Sequence, residues 1–227
     1  MQLSKRLQAL TELVTKGLRV ADIGCDHAYV SIELCKKEIA SKVIAMDINK
    51  GPLERATTNI AMCGLSDKIE TRLSNGAQKL EVGEVDALLI AGMGGALMRN
   101  ILEGRQEVVD ELQELYLQPQ SEIFLVRQYL RAHGFIIERE RMLIDEGKYY
   151  VMMKAVRGHS EEESLVFDYY GKYLLEHKDE TLYQFLTHEQ KKKRQILSSL
   201  SDKYEERIQE LNQELCLIEG GLKYYAD

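Results

Sequence analysis

Short apolar runs alternate with helical patterns from the start of the chain to about residue 157. Continuous apolar runs predict buried strands, and apolar positions three and four residues apart predict the helices between them. The predicted strands cover residues 19–24, 42–47, 69–73, 85–90, 114–118, 135–145 and 149–157. The predicted helices cover residues 27–37, 51–63 and 121–132, with another after Gly94-Gly95. This alternation predicts a doubly wound, Rossmann-like α/β sheet that is mainly parallel. A turn at Glu146-Gly147-Lys148 predicts a closing hairpin that adds an antiparallel strand.

The pattern changes beyond Gly158, and no Pro or Gly occurs between Lys172 and Glu219. Apolar residues there recur at steps of three and four, at Leu197, Leu200, Tyr204, Ile208, Leu211, Leu215, Ile218 and Leu222. Such steps are typical of the seam of a coiled coil, and a long helix needs a partner to be stable. We therefore expect an α/β domain over residues 1–158 and a helical coiled-coil domain over residues 159–227. The partner is a second helix of the same chain or a second copy, so a monomer and a weak homodimer both remain open.

Composition narrows the class of protein. Of the 227 residues 44% are hydrophobic and 30% charged, with a formal net charge of −7, which is typical of a folded globular chain. No run approaches the about 20 apolar residues of a membrane span, and the first residues lack the apolar core of a signal peptide. We therefore expect a cytoplasmic protein with no membrane partner. Four cysteines without a C-x-x-C pair, and five histidines without closely spaced ligand pairs, predict reduced, mostly buried thiols and no metal.

The end of the first predicted strand carries the most informative chemistry, because ligands of an open α/β sheet bind beyond the carboxyl ends of its strands. The segment 22–28 is similar to a dinucleotide fingerprint, but Asp26 stands where a phosphate-binding glycine belongs. A carboxylate there would repel phosphate, so an NAD enzyme is disfavoured. S-adenosyl-L-methionine fits better, since it has no phosphate and carries a sulfonium and an ammonium. Asp22 and Asp26 can face those cations, while Gly24 lets the backbone pass close to the cofactor.

The later strand ends continue this pattern. Asp47 ends the second predicted strand, where a carboxylate can accept hydrogen bonds from both ribose hydroxyls, and Asn75 follows the third, where an amide can bond an adenine edge. The predicted cofactor-binding residues are Asp22, Gly24, Asp26, Asp47, Ile48, Asn75, Gly76, Ala91 and Gly92. Each alone could be a helix cap or a plain turn. Their placement at successive strand ends favours a class I S-adenosylmethionine-dependent methyltransferase.

The acceptor is expected beside the fourth predicted strand, at Ile90-Ala91-Gly92-Met93-Gly94-Gly95. Its glycines leave room for a large flat group against the backbone, and Met93 provides an adaptable apolar wall. We assign Met93 to the reacting end of the site, and Gly94 and Gly95 to substrate binding. A flexible strand-to-helix turn is the other interpretation.

Four motifs together resemble the bacterial tRNA (adenine-22-N1)-methyltransferases of the TrmK type. They are Asp22-Ile23-Gly24-x-Asp26-His27-Ala28-Tyr29, Ile90-Ala91-Gly92-Met93-Gly94-Gly95, Leu117-Gln118-Pro119 and Asp145-x-Gly147-Lys148-Tyr149-Tyr150. The C-terminal helical region matches as well, so the resemblance covers essentially the whole chain. Gln120 departs from the family pattern, which usually has Asn after the proline. The resemblance implies methyl transfer from S-adenosylmethionine to N1 of an adenine in the D-loop region of tRNA.

Such a reaction needs no strong base, because adenine N1 already carries a lone pair, so positioning and desolvation provide most of the acceleration. We expect Asp26 to stabilise the positive charge that develops on the base. We expect His27 and Tyr29 to orient the extruded base or to stack on it. For both aromatic residues, local packing in the first turn of a helix is the alternative.

RNA phosphates are bound by Lys and Arg. The run Lys191-Lys192-Lys193-Arg194 interrupts an otherwise acidic helical region and is the first candidate, with a solvated helix face as the alternative. Further candidates are Lys5 and Arg6 on the first helix, and Lys36, Lys37 and Lys42 around the second. Two other functions stay open: a methyltransferase for a small molecule or a protein, and a catalytically silent adaptor of the same fold.

Overall fold

A computed structural model describes residues 3–159, 164–201 and 203–226. The stretch 160–163, where the sequence predicts the junction of the two domains to continue, lies outside these residues. The strands are β1 (Arg19–Ile23), β2 (Lys42–Asp47), β3 (Ile69–Leu73), β4 (Ala87–Met93), β5 (Glu114–Pro119), β6 (Phe135–Asp145) and β7 (Lys148–Arg157). The helices are α1 (Lys5–Thr11), α2 (Tyr29–Lys36), α3 (Lys50–Met62), α4 (Gly95–Glu103), α5 (Gln106–Val109), α6 (Ile123–Ala132), α7 (Leu165–Tyr170), α8 (Lys172–Glu176), α9 (Glu180–Ser199) and α10 (Glu205–Leu222).

The strands form one seven-stranded sheet in the order β3-β2-β1-β4-β5-β7-β6. β7 runs antiparallel to both of its neighbours, and the remaining pairings are parallel. The predicted doubly wound sheet is therefore confirmed. β4 continues to Met93 instead of ending at Ile90, so the glycine-rich segment begins inside the strand. Strand order reverses between β1 and β4, which is where an open α/β sheet has its ligand crevice.

Each central strand buries both of its faces. Val20, Val43 and Leu89 pack in the core under α1, α2 and α3. Their chain neighbours Ala21 and Leu88 pack in the opposite core, under α4, α5 and α6. Successive side chains of a strand point to opposite faces, so a strand covered on both sides is continuously apolar. This explains why the strands could be found from apolar runs alone.

The C-terminal region folds back on itself as a helical hairpin. α9 ends at Ser199 and α10 begins at Glu205, so the predicted continuous seam through Leu200 and Tyr204 is wrong. The chain turns there without Gly or Pro, within a serine-rich stretch whose Ser198 and Ser199 hydroxyls donate to backbone carbonyls. Such bonds compete with a helical backbone. The apolar side of α10, with Leu211, Leu215 and Ile218, is buried within the chain, and the coiled coil stays a prediction.

A buried ionic network ties this region to the sheet. Arg127 of α6 donates to the Glu140 carboxylate at 2.7 and 3.0 Å, and its Nη1 donates to the Asp168 and Tyr169 carbonyls at the end of α7. Burial raises the pKa of Glu140, and the Arg127 guanidinium opposes that rise. The same hydrophobic core holds Phe135 of β6 and residues of α8, α9 and α10. The core therefore extends across the predicted domain boundary.

The cysteines, the possible metal ligands and the helices relate to three further predictions from the sequence. Cys25 and Cys35 are buried, Cys63 is half-buried and Cys216 is exposed, so only part of the set meets the expectation of buried thiols. Within the described ranges, no group of three or more His, Cys, Asp or Glu side chains could hold a metal ion. No helix of the described residues is long and apolar enough to cross a membrane.

Candidate active site

The loop after β1 has an unusual backbone. Gly24, Asp26 and Ala28 all have positive φ, at 77°, 47° and 58°, a conformation that is strained for residues other than glycine. The amides of Gly24 and Cys25 both donate to the Met46 carbonyl of β2, at 2.8 and 2.9 Å. Strained backbone of this kind costs about 1–3 kcal/mol per residue and is concentrated at functional sites. The loop is thereby fixed against the end of β2.

Two buried carboxylates line the crevice beside this loop. Asp22 is 4% exposed and accepts a hydrogen bond from Ser31 Oγ at 2.6 Å. Burial raises its pKa to about 6, while the Ser31 bond opposes the rise and the nearby Asp47 carboxylate adds to it. Asp47 is 8% exposed and accepts from the amides of Asp26 and Asn49 at 3.2 and 2.9 Å. The crevice therefore favours a cationic ligand.

Asp26 contributes to the crevice through its backbone amide, and its carboxylate points elsewhere. The side chain is 64% exposed and lies 3.8 Å from Arg55 and 3.6 Å from His27 Nε2. A common ligand for Asp22 and Asp26 stays a prediction, because the positive φ at position 26 directs the Asp26 side chain toward Arg55 of α3. Its catalytic role stays a prediction.

His27 and Tyr29 form an aromatic pair at the rim of the crevice. Their rings are stacked, with centroids 5.1 Å apart and planes 13° from parallel. The Asn59 amide donates to the His27 carbonyl at 3.1 Å and holds the loop against α3. The pair borders a polar hollow of about 350 Å³ that Glu54 and Arg55 also line. A flat group could be held here, and the roles of both rings stay predictions.

Met93 closes the crevice from the side of β4. A Cβ built on Gly24 would collide with Met93 Cε, so the two residues are packed directly against each other. The pairing of β4 with β5 shifts register between Ala91 and Met93, and Gly92 between them has a φ of 77°. Such bulges re-aim side chains next to active sites. The structure thus brings Met93 to the loop that carries Gly24.

Gly94 and Gly95, assigned to substrate, have a structural explanation. The Gly95 amide donates to the Ser121 carbonyl at 2.8 Å, and a Cβ on Gly95 would collide with the backbone of Ser121 and Glu122. A Cβ on Gly94 would lie 3.0 Å from Ser121 Oγ. Packing of α4 against this loop therefore accounts for Gly95, and substrate contact at either glycine stays a prediction.

The remaining predicted cofactor residues lie at the same edge of the sheet. Ile48 directly follows Asp47 and is 59% exposed. Asn75 is exposed, and Gly76 packs against Ile101 of α4. Ser74, which the sequence did not single out, is buried and donates its amide to the Asp47 carbonyl at 2.9 Å. The ends of β2 and β3 are thereby joined.

A polar cluster at the end of β5 has contacts that were not predicted from the sequence. Gln118 is fully buried, and its Oε1 accepts from Arg6 Nη1 at 2.7 Å. The Arg6 amide donates to the Asp145 carboxylate at 3.3 Å, and the Arg6 guanidinium carbon lies 5.4 Å from the Tyr150 ring centroid. One signal was available: Gln118 is a polar residue that directly follows the buried run Leu115-Tyr116-Leu117.

The basic run on α9 is partly engaged inside the hairpin. Lys193 pairs with Glu214 at 2.6 Å and Arg194 pairs with Glu219 at 2.9 Å, both on α10. Lys191 and Lys192 are exposed, and Lys192 lies 3.8 Å from Glu189. Half of the run therefore bridges the two helices. RNA binding by these residues stays a prediction, and Lys191 and Lys192 are exposed on the part of the run that precedes the bridging residues.

Known proteins are similar to this chain in both sequence and structure. A family model described as a methyltransferase domain (Methyltransf_18) matches residues 3–153. The tRNA (adenine(22)-N(1))-methyltransferase of Bacillus subtilis (strain 168) is 36% identical over 158 residues, which are 70% of this chain and 66% of that enzyme. The match thus spans slightly less than two thirds of that enzyme's length.

Solved structures extend the similarity to nearly the whole chain. The crystal structure of the B. subtilis m1A22 tRNA methyltransferase TrmK superposes with a TM-score of 0.87 at 30% identity, covering 97% of this chain and 99% of that one. Streptococcus pneumoniae Sp1610 in complex with S-adenosyl-L-methionine gives a TM-score of 0.88 at 31% identity, covering 97% of this chain and 100% of that one. The likeness therefore includes the C-terminal helices.

Proposed function

The chain belongs to the bacterial tRNA (adenine-22-N1)-methyltransferases of the TrmK type, and we propose that it methylates N1 of adenine 22 in tRNA with S-adenosylmethionine as the methyl donor. The observation that carries this proposal is the pair of buried carboxylates, Asp22 and Asp47, at neighbouring strand ends. Among the described residues, no Lys or Arg forms an ion pair with either of them. A cationic cofactor without phosphate fits such a crevice.

The residues at the crevice suit the parts of this cofactor. S-adenosylmethionine supplies a sulfonium-activated methyl group. Asp22 provides negative charge for its cationic end, and Gly24 allows close approach of the backbone. Asp47 is held by two amides and retains lone pairs for the ribose hydroxyls, as strand-end acids do in related folds. The exposed Ile48 offers an apolar surface for the adenine ring.

The acceptor base is proposed to lie between Met93 and the His27–Tyr29 pair. Gly92 lacks a side chain at the bulge, so a flat base can approach the backbone there. The neutral N1 lone pair attacks the methyl carbon in line as the carbon–sulfur bond breaks, and the positive charge passes to the base. Asp26 would then stabilise the charged product base. Exclusion of water and alignment by the packed walls supply most of the acceleration.

A groove leads from this edge of the sheet toward the C-terminal hairpin. It has a volume of about 490 Å³, and its walls include Gln120 at the end of β5, Tyr169, Phe185 and Lys193. Aromatic side chains are suited to unstacked nucleotides of RNA. We propose that tRNA binds across this groove and that the exposed Lys191 and Lys192 contact its phosphates. We further propose that the reaction takes place in the cytoplasm. Because the apolar side of α10 is covered within the chain, we propose a monomer.

The deciding experiment is transfer of labelled methyl from S-adenosylmethionine to unmodified tRNA, followed by digestion and identification of the nucleoside. We expect label in 1-methyladenosine, and no label when adenine 22 is replaced by guanine. Label in another nucleoside would reject the site assignment. No transfer to tRNA by a chain that binds the cofactor would favour a small-molecule or protein acceptor. An absence of cofactor binding would favour the silent adaptor.

A further inference from the structure

Arg6 reaches the candidate active site from outside the sheet. It lies on α1, and its Nη1 donates to Gln118 Oε1 at the end of β5. Gln118 is the register partner of Ala91 on β4. A Cβ built on Gly92 would lie 3.7 Å from Arg6 Nη1 and 3.6 Å from Gln120 Nε2. The guanidinium is therefore next to the bulge where the acceptor base is proposed to lie.

The Arg6 side chain is held by a buried polar residue. Gln118 has 0% exposure, and its Nε2 donates to the Pro119 carbonyl at 3.2 Å. A buried amide is costly unless it is hydrogen-bonded, and the bond partner of its oxygen is Arg6. The Tyr150 ring lies on another side of the guanidinium, and Asp145 accepts the Arg6 backbone amide. The position of the cation is thus fixed by groups from β5 and the hairpin.

The Arg6 guanidinium is half-buried. Within the part of the chain that the structure describes, no Asp or Glu forms an ion pair with the Arg6 guanidinium, whereas Arg127, Arg131 and Arg72 are all paired. Charged side chains away from solvent are normally paired. A guanidinium carries five N–H donors in a planar fork, of which Gln118 takes one. The remaining donors suit a phosphate, which a guanidinium binds through two parallel bonds.

We propose that Arg6, oriented by Gln118, binds a phosphate adjacent to the target adenosine and so holds that nucleotide against Gly92. This inference rests on the proposed function and adds the contact that places the nucleotide. A contact of this kind fixes the register of an RNA and carries no sequence information. The carboxylate of the cofactor is the other anion that could meet Arg6, and the test below separates the two.

The test compares wild type, Arg6→Gln and a matched control, Arg19→Gln, in single-turnover methyl transfer. Arg19 starts β1 and pairs with Asp86 at the opposite edge of the sheet. The substrates are synthetic tRNAs in which one phosphate at a time near adenine 22 is replaced by a neutral methylphosphonate. For wild type and Arg19→Gln, we expect one linkage within a nucleotide of the target to slow transfer about 10-fold or more, as for a charge-assisted bond.

For Arg6→Gln we expect transfer about 10- to 100-fold slower on unmodified tRNA, with no further slowing at that linkage. Cofactor affinity, measured by calorimetry, should stay within about twofold of wild type. The proposal would be overturned if Arg6→Gln transferred methyl at the wild-type rate. It would also be overturned if the sensitive linkage slowed Arg6→Gln as much as it slows wild type. A loss of cofactor affinity equal to the loss in rate would assign the anion to the cofactor instead.

Arg6→Lys keeps the inference testable if Arg6→Gln fails to fold, because lysine retains the charge but offers a single point donor. We expect this variant to be slower than wild type while still responding to the same linkage. A rate equal to wild type on every tRNA would count against a bidentate phosphate contact. If wild type itself transfers no methyl to any of these tRNAs, the proposed function fails and this inference fails with it.

Discussion

The crevice at the carboxyl ends of the strands and the C-terminal helical region differ in how their charged side chains are paired. In the helical region and at its base, charges are paired: Arg127 with Glu140, Lys193 with Glu214 and Arg194 with Glu219. In the crevice, the carboxylates of Asp22 and Asp47 are buried beside each other. Paired charges here join elements of the fold, whereas Asp22 and Asp47 have no Lys or Arg ion-pair partner among the described residues, as the proposed cationic cofactor requires.

The largest effect is expected where a buried pair is broken. Arg127→Met should destabilise the protein by about 3–5 kcal/mol, because the Glu140 carboxylate is left buried without a counter-charge. The end of α7 also loses its donor. Urea unfolding checks this, with Arg207→Met, which removes an exposed pair with Glu210, as the control. Replacing Arg127 and Glu140 together by apolar residues should restore much of the stability, and a double variant as unstable as the single one would contradict the argument.

An effect of about 3 kcal/mol is expected from the pH titration of Asp22. Its pKa is raised from 3.8 to about 6, so the folded state binds more protons than the unfolded state between these values. The free energy of unfolding that depends on Asp22 therefore falls as pH rises from about 4 to about 6, and it is constant above that range. Cofactor binding should strengthen over the same range, since the carboxylate becomes charged.

The difference in the free energy of unfolding between wild type and Asp22→Asn isolates the contribution of Asp22. Thermal unfolding between about pH 4 and pH 8, with and without S-adenosylmethionine, is the measurement. Wild type should gain stabilisation by the cofactor as pH rises through about 6, and Asp22→Asn should show little such gain. Parallel curves for the two proteins would remove Asp22 from the binding of the cation.

The smallest effect on stability is expected on the exposed face of α9. Replacing Lys191 and Lys192 by Glu should change stability by less than about 1 kcal/mol, because exposed ion pairs contribute little. The same change should weaken tRNA binding and lower the slope of log affinity against log salt by about 0.7–0.9 for each phosphate that is no longer neutralised. Lys16 and Lys68, which precede β1 and β3 at the opposite edge of the sheet, provide a control of equal charge when both are changed to Glu. Equal salt slopes for both double variants would indicate that Lys191 and Lys192 form a solvated helix face and do not bind tRNA.

Much of the sheet could be predicted because its strands are buried on both faces. The bounds of β2, β3 and β6 are the predicted ones, and Asp22 and Asp47 lie near the ends of β1 and β2, as predicted. The turn between α9 and α10 was missed because no Gly or Pro marks it: the backbone becomes extended at Leu200, within a serine-rich stretch. The direction of the Asp26 side chain depends on a positive φ that the sequence does not reveal.

The contact between Arg6 and Gln118 was missed for a different reason. The two residues are 112 positions apart, and hydrophobic periodicity reports which face of an element is buried, not which distant side chains meet. The reason why position 95 is glycine was missed for the same cause, since any side chain there would collide with the backbone of residues 121 and 122. Local pattern thus located the edge of the sheet that carries the site, while tertiary packing selected the groups that meet there.

The placement of β7 between β5 and β6 has a consequence for synthesis on the ribosome. Chains emerge from the N-terminus and fold as segments become available, and β5 gains its second neighbour only when the hairpin has left the tunnel. The Arg6 amide pairs with Asp145, 139 positions later. A nascent chain that ends before the hairpin therefore has the β1–β4 crevice and Gln118, but it lacks Asp145 and Tyr150, the hairpin residues that contact Arg6. Cofactor binding should arise earlier in translation than the ability to place an RNA nucleotide.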